Sequence, residues 1–95
     1  MRIYNIKAKR MEHAVVTFSY DSDRLTRDMF RNMLQMMFEY ACTNCDYDDL
    51  RLLNGKGEEL ARMVTREIRD PYSSKIVTTL YISGIGATRT MVVAE

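Results

Sequence analysis

Residues 24–45 read RLTRDMFRNMLQMMFEYACTNC, and this stretch gives the clearest secondary-structure signal in the sequence. It contains no glycine or proline and many good helix formers, so it predicts one long helix that ends near Cys45. Just before it, Asp21, Ser22 and Asp23 offer side-chain oxygens to the free N–H groups of a helix start. At about 1.5 Å per residue the helix is about 30 Å long, which is the width of a small domain.

Strand-like segments lie on both sides of this helix. Segments that are rich in β-branched and aromatic residues occur at 2–8, 14–20, 75–82 and 88–93, and the leucine-rich segment 50–53 also resembles a strand. The polar link 9–13 is short enough for an antiparallel hairpin. The strand at 50–53 runs into Asn54-Gly55, a pair that favours a turn with positive φ. The flanks of the helix therefore predict an antiparallel sheet.

The stretch 58–70 fits two structures. Four of its apolar residues fall on one helical face, with Pro71 to end the helix: Leu60, Met63, Val64 and Ile68. The stretch also reads as the first arm of a hairpin, because Asp70-Pro71 favours a tight turn and the next segment is strand-like. We favour the hairpin. The prediction is a single α+β domain over 1–95 with the order ββαβ(β/α)ββ, in which one long helix packs on an antiparallel sheet of about five strands as two layers.

Composition excludes several classes of protein. The 95 residues are 46% hydrophobic and 28% charged, which is typical of a globular domain and not of a disordered chain, a fibre or a disulfide scaffold. The net charge of +1 does not favour whole-surface attraction to nucleic acid or anionic lipid. No stretch approaches the about 18 apolar residues of a membrane span, and the first residues lack the pattern of a signal peptide. We therefore expect a cytoplasmic protein with reduced thiols and no membrane partner.

Motifs for catalysis or cofactor binding are weak. Cys42, Cys45 and His13 supply three soft ligands where structural zinc needs four, unless Asp46 or a second copy contributes. The Ser83-Gly84-Ile85-Gly86 segment lacks the third glycine of a dinucleotide fingerprint and leads into a strand. The sequence predicts no cofactor, no metal and no catalytic residue, and hence a protein that is not an enzyme.

The predicted helix carries more apolar surface than one sheet needs to cover. Its apolar residues span an arc of about 220°, whereas an ordinary surface helix has a stripe of about 100° or somewhat more. Either the segment 46–60 covers the surplus or a second chain does, and a twofold homodimer needs only one self-complementary patch. The residues predicted for self-association are Met29, Met33, Met36, Phe38 and Tyr40.

Charged clusters are candidates for a partner-binding surface. They comprise an acidic loop, a basic first hairpin and a basic flank of the helix: Asp46, Asp48 and Asp49; Lys7, Lys9 and Arg10; Arg24, Arg27 and Arg31. With Tyr4 and Tyr20 nearby, the basic residues would suit nucleic acid. The acidic residues between them favour instead a solvent-exposed face with both positive and negative charges. The same interpretation applies to the arginines of the 58–70 stretch.

Together these patterns predict a non-enzymatic interaction module. We expect a small homodimer that binds and blocks, or bridges, another macromolecule. Its length, methionine content and mixed charge resemble those of the small accessory proteins of bacteriophages, such as inhibitors of host proteins. Two alternatives remain: an RNA- or DNA-binding regulator that uses the basic residues, and a dimer that binds a small ligand between its sheets.

Overall fold

The computed structural model describes residues 1–43, 49–69, 71–82 and 88–94. The elements in chain order are β1 (Arg2–Ala8), β2 (Val16–Tyr20), α1 (Arg27–Thr43), β3 (Asp49–Leu53), β4 (Glu59–Arg69), β5 (Ser74–Ile82) and β6 (Thr88–Ala94). The described chain is therefore α+β, as predicted. Within these ranges no helix is both long and apolar enough to cross a membrane.

The strands form one antiparallel sheet in the order β2-β1-β3-β4-β5-β6. This is one strand more than the about five expected, because the stretch 58–70 is a strand and not a helix. β4 pairs with β5 from Ala61 opposite Ile82 to Arg69 opposite Ser74, which confirms the hairpin. The apolar spacing in this stretch also fits a helix, but its side chains alternate between the two faces of the sheet as in a strand. Ala61 is buried, whereas its neighbour Arg62 is partly exposed.

The helix begins later than the sequence predicts. The Thr26 hydroxyl accepts the N–H of Met29 at 3.2 Å, and the Thr26 carbonyl accepts the N–H of Phe30 at 3.1 Å, so Thr26 is the N-cap. Ser22, one of the predicted capping residues, instead accepts the N–H of Arg24 at 3.1 Å and donates to its carbonyl at 2.9 Å. The prediction of a cap at 21–23 is wrong because Ser22 closes a local turn of its own.

The core lies between α1 and one face of the sheet. Among the described residues, the hydrophobic strand residues that are at most 7% exposed lie on this face: Tyr4, Ile6, Ala8, Leu50, Leu52, Ala61, Met63 and Leu80. The register explains why, because Ile6 lies opposite Leu52, which lies opposite Ala61, and directly opposite residues share a face. The buried helix residues Met33, Met37 and Ala41 complete the cluster. We call this side of the sheet the helix face.

The turn between β3 and β4 lies where the sequence places it. The Asn54 side-chain carbonyl accepts the N–H groups of Lys56 and Glu58, both at 2.9 Å. The glycine with positive φ is Gly57, at 81°, and not the predicted Gly55. The asparagine thus stabilises the turn through its side chain, and Gly57 supplies the left-handed conformation.

Candidate interaction surfaces

Helix α1 does not place its predicted self-association residues on one surface. Met33 is fully buried in the core beside Met37, one turn later. A second chain cannot reach it without unfolding the domain. The assignment of Met33 to a self-association surface is therefore wrong, because this residue belongs to the buried stripe of Met33, Met37 and Ala41.

Three other predicted residues form one continuous flank. Met29, Met36 and Tyr40 are partly exposed and pack against the edge of the core. At about 100° per residue they lie within about 40° of one another around the helix. Phe38 is also partly exposed but lies at least about 160° away, on the opposite side of the helix. We call Met29, Met36 and Tyr40 the methionine flank.

The edge strand β2 extends the apolar surface of the helix face. β2 directs Val16, Phe18 and Tyr20 to the helix face, where they pack against the core cluster. The Phe18 and Tyr20 rings stack with centroids 6.3 Å apart, and Tyr20 meets Tyr4 edge-to-face at 6.0 Å. The predicted cover by an irregular segment 46–60 does not hold for 49–53, which is a strand.

Asp49 does not belong to an acidic loop. It opens β3, is 9% exposed, and accepts two hydrogen bonds from Arg62, from Nε at 3.1 Å and from a terminal guanidinium nitrogen at 2.8 Å. The Lys9 ammonium lies 4.0 Å from the same carboxylate. The prediction that Asp49 lies in an acidic loop is therefore wrong, because Asp49 opens a strand and its charge is matched within the chain; its contact with a partner stays a prediction. Asp46 and Asp48 lie outside the described residues, as does Cys45.

The pair of Asp49 and Arg62 also fixes the charge of the arginine. Hydrogen bonds to Asp49, and then the attraction of its charge, raise the pKa of Arg62 above its ordinary value. A raised pKa means that the contribution of this group to stability is present at neutral pH and is lost only in strong alkali. Arg62 is thus a permanent cation over the whole physiological range.

The predicted basic residues do not form a single patch. Lys7 and Lys9 lie on the side of the sheet away from α1, and the Lys9 side chain is 57% exposed. Arg27 and Arg31 are exposed one turn apart on α1, on the other side of the sheet. The sheet therefore separates these two groups. The remaining two, Arg10 after β1 and Arg24 before α1, are exposed.

The side of the sheet away from α1, which we call the open face, carries mostly polar and charged side chains. Its described residues, strand by strand, are Ile3, Asn5 and Lys7; Thr17 and Ser19; Asp49, Arg51 and Leu53; Glu59, Arg62, Val64 and Arg66; Val77, Thr79 and Tyr81. Tyr81 is 46% exposed and Ile3 is 39% exposed. Nothing in the described ranges packs a second layer on this face.

Three cations and a tyrosine form a row across four adjacent strands of the open face. Lys7 lies directly opposite Arg51, Arg51 opposite Arg62, and Arg62 opposite Tyr81. We call these four residues the cationic row. Neighbouring strands are about 4.8 Å apart, so the row is about 14 Å long. Sequence reasoning missed Arg51 and Tyr81 because only strand register, which links residues far apart in the chain, brings them together.

Carboxylates lie on the diagonals of this row. Glu59 Oε1 is 3.6 Å from Arg51 Nε, a buried nitrogen that makes no hydrogen bond to a described residue. Asp49 pairs with Arg62, as described above. Lys7 and Arg66 have no ion-pair partner among the described residues. Counted over its described side chains, the open face has five cations, including Lys9, against these two carboxylates.

A cavity of about 380 Å³ opens where the start of β1 meets the 54–58 turn. Arg2, Tyr4 and Lys56 are among its lining residues. The Tyr4 hydroxyl is buried and has no hydrogen-bond partner in the described part of the chain. The cavity belongs to a single chain and therefore does not correspond to the ligand site between two sheets that the sequence left open. Among the described residues, no three His, Cys, Asp or Glu side chains are grouped as metal ligands would be.

Comparisons with protein-family models, with curated protein sequences and with solved structures find no match to this chain. A functional assignment therefore rests on two surfaces: the methionine flank of α1 and the open face of the sheet.

Proposed function

We propose that this chain is a non-enzymatic interaction module that forms a homodimer through the methionine flank and binds, and so blocks, another macromolecule. The proposal of a dimer rests on one observation. Met29, Met36 and Tyr40 stay partly exposed along one flank although Met33 and Met37 already fill the core.

The free energy of apolar burial supports pairing along this flank. Fully burying a methionine side chain contributes about 1.5–3 kcal/mol, and partly exposed side chains have realised only part of that amount. A twofold axis perpendicular to α1 would set two copies of the helix antiparallel, so that each methionine flank covers the other. Methionine also adapts its shape to an apolar partner more readily than branched residues do.

The length of the flank limits the strength of the dimer. From Met29 to Tyr40 the helix rises about 17 Å, which is short for an interface of the usual size, about 800 Å² per partner. We therefore expect a dimer that dissociates on dilution in the micromolar range. In this arrangement each protomer is a two-layer domain of helix and sheet, and the open face of both protomers stays available to the blocked macromolecule.

Sedimentation velocity over a concentration series tests the dimer. At about 10 to about 300 µM, which corresponds to weak to moderate affinity, we expect a shift from the 11.1 kDa monomer toward twice that mass. Met36→Lys places a charge in the flank and should keep the chain monomeric. The matched control is Gln35→Lys, which adds the same charge at the neighbouring exposed position and should dimerise as the parent does.

Two results would overturn the proposal. The parent chain could remain a monomer up to about 300 µM, a concentration at which even weak self-association is detectable. Alternatively, Met36→Lys could dimerise as well as Gln35→Lys while circular dichroism shows that both variants are folded, which would place the interface elsewhere.

A further inference from the structure

The cationic row on the open face is costly for a sheet that only has to fold. Like charges directly opposite each other on neighbouring strands are destabilising, yet Lys7, Arg51 and Arg62 occupy three consecutive opposite positions. The carboxylates Asp49 and Glu59 compensate from the diagonals but leave a surplus of positive charge. Arg66, on the same face of β4 and about 13 Å along the strand from Arg62, adds to that surplus.

We infer that the open face binds single-stranded nucleic acid, with backbone phosphates along Lys7, Arg51 and Arg62 and a base stacked on Tyr81. This inference goes beyond the proposed function, because it names the class of macromolecule. It rests on strand register and exposure and not on self-association, so it stands or falls independently of the dimer.

Charge and side-chain chemistry favour a polyanion of phosphates. Arginine presents a planar fork that binds phosphate in a bidentate manner, and two of the three cations in the row are arginines. The Arg51 side chain is 38% exposed and its contact with Glu59 is loose at 3.6 Å, so a phosphate can compete for it. The Arg62 side chain is 36% exposed beside its bond to Asp49. Hydroxyl groups on the same face, those of Ser19 and Thr79, can donate to phosphate and sugar oxygens.

The aromatic side chain at the end of the row favours single strands over duplexes and over acidic proteins. Tyr81 is 46% exposed, directly opposite Arg62, so its ring lies beside the cations on the same surface. Proteins that bind single strands combine a basic surface with aromatic rings on which unpaired bases stack. In a duplex the bases already stack on one another and are not available to the Tyr81 ring. An acidic peptide has no bases to stack on it. The whole-chain charge of only +1 makes this local face, and not the overall surface, responsible for binding.

Fluorescence anisotropy with the full chain tests the inference. The probes are fluorescein-labelled oligothymidine and oligouridine of about 20 nucleotides, a length that exceeds common single-strand site sizes. A duplex of the same length and an unlabelled polyglutamate competitor complete the set. We expect saturable binding of a single strand at about 50 mM salt. With about three phosphate contacts, the logarithm of affinity should fall with the logarithm of salt concentration at a slope of about −2.

Charge-reversal variants locate the surface. Lys7→Glu should lower the affinity about tenfold, since it removes a phosphate contact and adds repulsion. Arg66→Glu should lower the affinity less, because it changes the charge of the same face outside the row of phosphate contacts. The matched control is Arg31→Glu, which changes the net charge equally at an exposed position of α1 and should alter the affinity less than about twofold. Tyr81→Ala should weaken binding at least about fivefold. Tyr81→Phe should bind as the parent does, because stacking needs the ring and not the hydroxyl.

Each contrary result overturns the inference. Absence of binding at about 50 mM salt would do so, because phosphate contacts are strongest at low salt. Equal loss in Arg31→Glu and Lys7→Glu would show non-specific attraction or a site on the helix. Tighter binding of the duplex, or displacement of the probe by polyglutamate at equal charge concentration, would identify a different partner. Circular dichroism of every variant separates these outcomes from loss of the fold.

Discussion

Asp49→Asn should lower the stability of the domain and at the same time strengthen its binding of nucleic acid. In the folded chain the Asp49 carboxylate accepts two hydrogen bonds from Arg62 and lies 4.0 Å from Lys9. Asparagine keeps the size of the side chain but removes the charge. Arg62 then lies opposite Arg51 without its compensating carboxylate.

The expected loss of stability in Asp49→Asn follows from the exposure of the two side chains of the ion pair. The Asp49 side chain is 12% exposed and that of Arg62 is 36% exposed, so the pair lies between a surface ion pair and a buried one. Exposed pairs contribute at most about 1 kcal/mol, whereas breaking a buried pair costs about 3–5 kcal/mol. We expect a loss of about 2 kcal/mol in the free energy of unfolding. For a domain of this size that corresponds to a fall in Tm of about 8–16 °C.

Urea unfolding followed by circular dichroism measures this loss. The transition midpoint should fall while the m-value stays constant. Glu59→Gln is the matched control, because its ion pair with Arg51 spans 3.6 Å between side chains that are each 38% exposed. It should cost less than about 0.5 kcal/mol. In the anisotropy assay Asp49→Asn should bind oligothymidine more tightly than the parent, since the open face gains one unit of positive charge.

Two outcomes would refute this reasoning. A stability of Asp49→Asn within about 0.5 kcal/mol of the parent would show that the pair contributes no more than an ordinary surface contact. Unchanged or weaker binding by a variant shown to be folded would mean that the charge of the open face does not determine affinity.

Three further substitutions test the fold. Thr26→Ala removes the N-cap hydroxyl and should cost about 1 kcal/mol in urea unfolding, whereas Asp23→Ala, at a position where the sequence suggested a cap, should cost less than about 0.5 kcal/mol; equal effects would contradict the cap described here. Gly57→Ala forces a side chain into a backbone with φ of 81° and should lower stability by about 1 kcal/mol or more. Gly55→Ala, whose new Cβ would lie 3.4 Å from the Ile3 carbonyl oxygen, should cost less, and the reverse order would refute the assignment of the left-handed residue. Met37→Ala should cost about 2–5 kcal/mol through the cavity that it leaves, against a change within about 0.5 kcal/mol for the exposed Gln35→Ala; a small loss for Met37→Ala would show that the core readily collapses around it.

Local sequence patterns predict the strands and the helix of this fold more reliably than they predict which residues these elements bring into contact. The first strand was predicted at 2–8 and is Arg2–Ala8, and the helix is present although its start is shifted to Arg27. Both depend on residues close in sequence. The N-cap was misplaced because Ser22, Asp23 and Thr26 are all good caps, and only the path of the chain into the helix selects among them.

The candidate surfaces were predicted less well because they depend on distant residues. A helical wheel gives an apolar arc but not which part of it meets the sheet, so Met33 was assigned to a surface although it lies at the centre of the core. The sequence pattern of residues 46–49 predicts one acidic loop, although Asp49 begins a strand and binds a residue 13 positions later. Lys7, Arg51 and Arg62 lie in three separate segments, and nothing local to any one of them indicates a row.

On the open face, the inferred binding of a polyanion would oppose the stability of the fold. If folding alone had shaped it, opposite-charge pairs would occupy the directly opposite positions, where cross-strand attraction is strongest. Instead, Arg51 faces Arg62, and the carboxylates that stabilise each arginine stand on the diagonals. The two hydrogen bonds that Arg62 donates to Asp49 keep its side chain in a fixed position before a ligand arrives, which lowers the entropy lost on binding. The cost is repulsion that a polyanion would relieve, so a bound single strand should raise the midpoint of thermal unfolding of the parent chain more than that of Lys7→Glu.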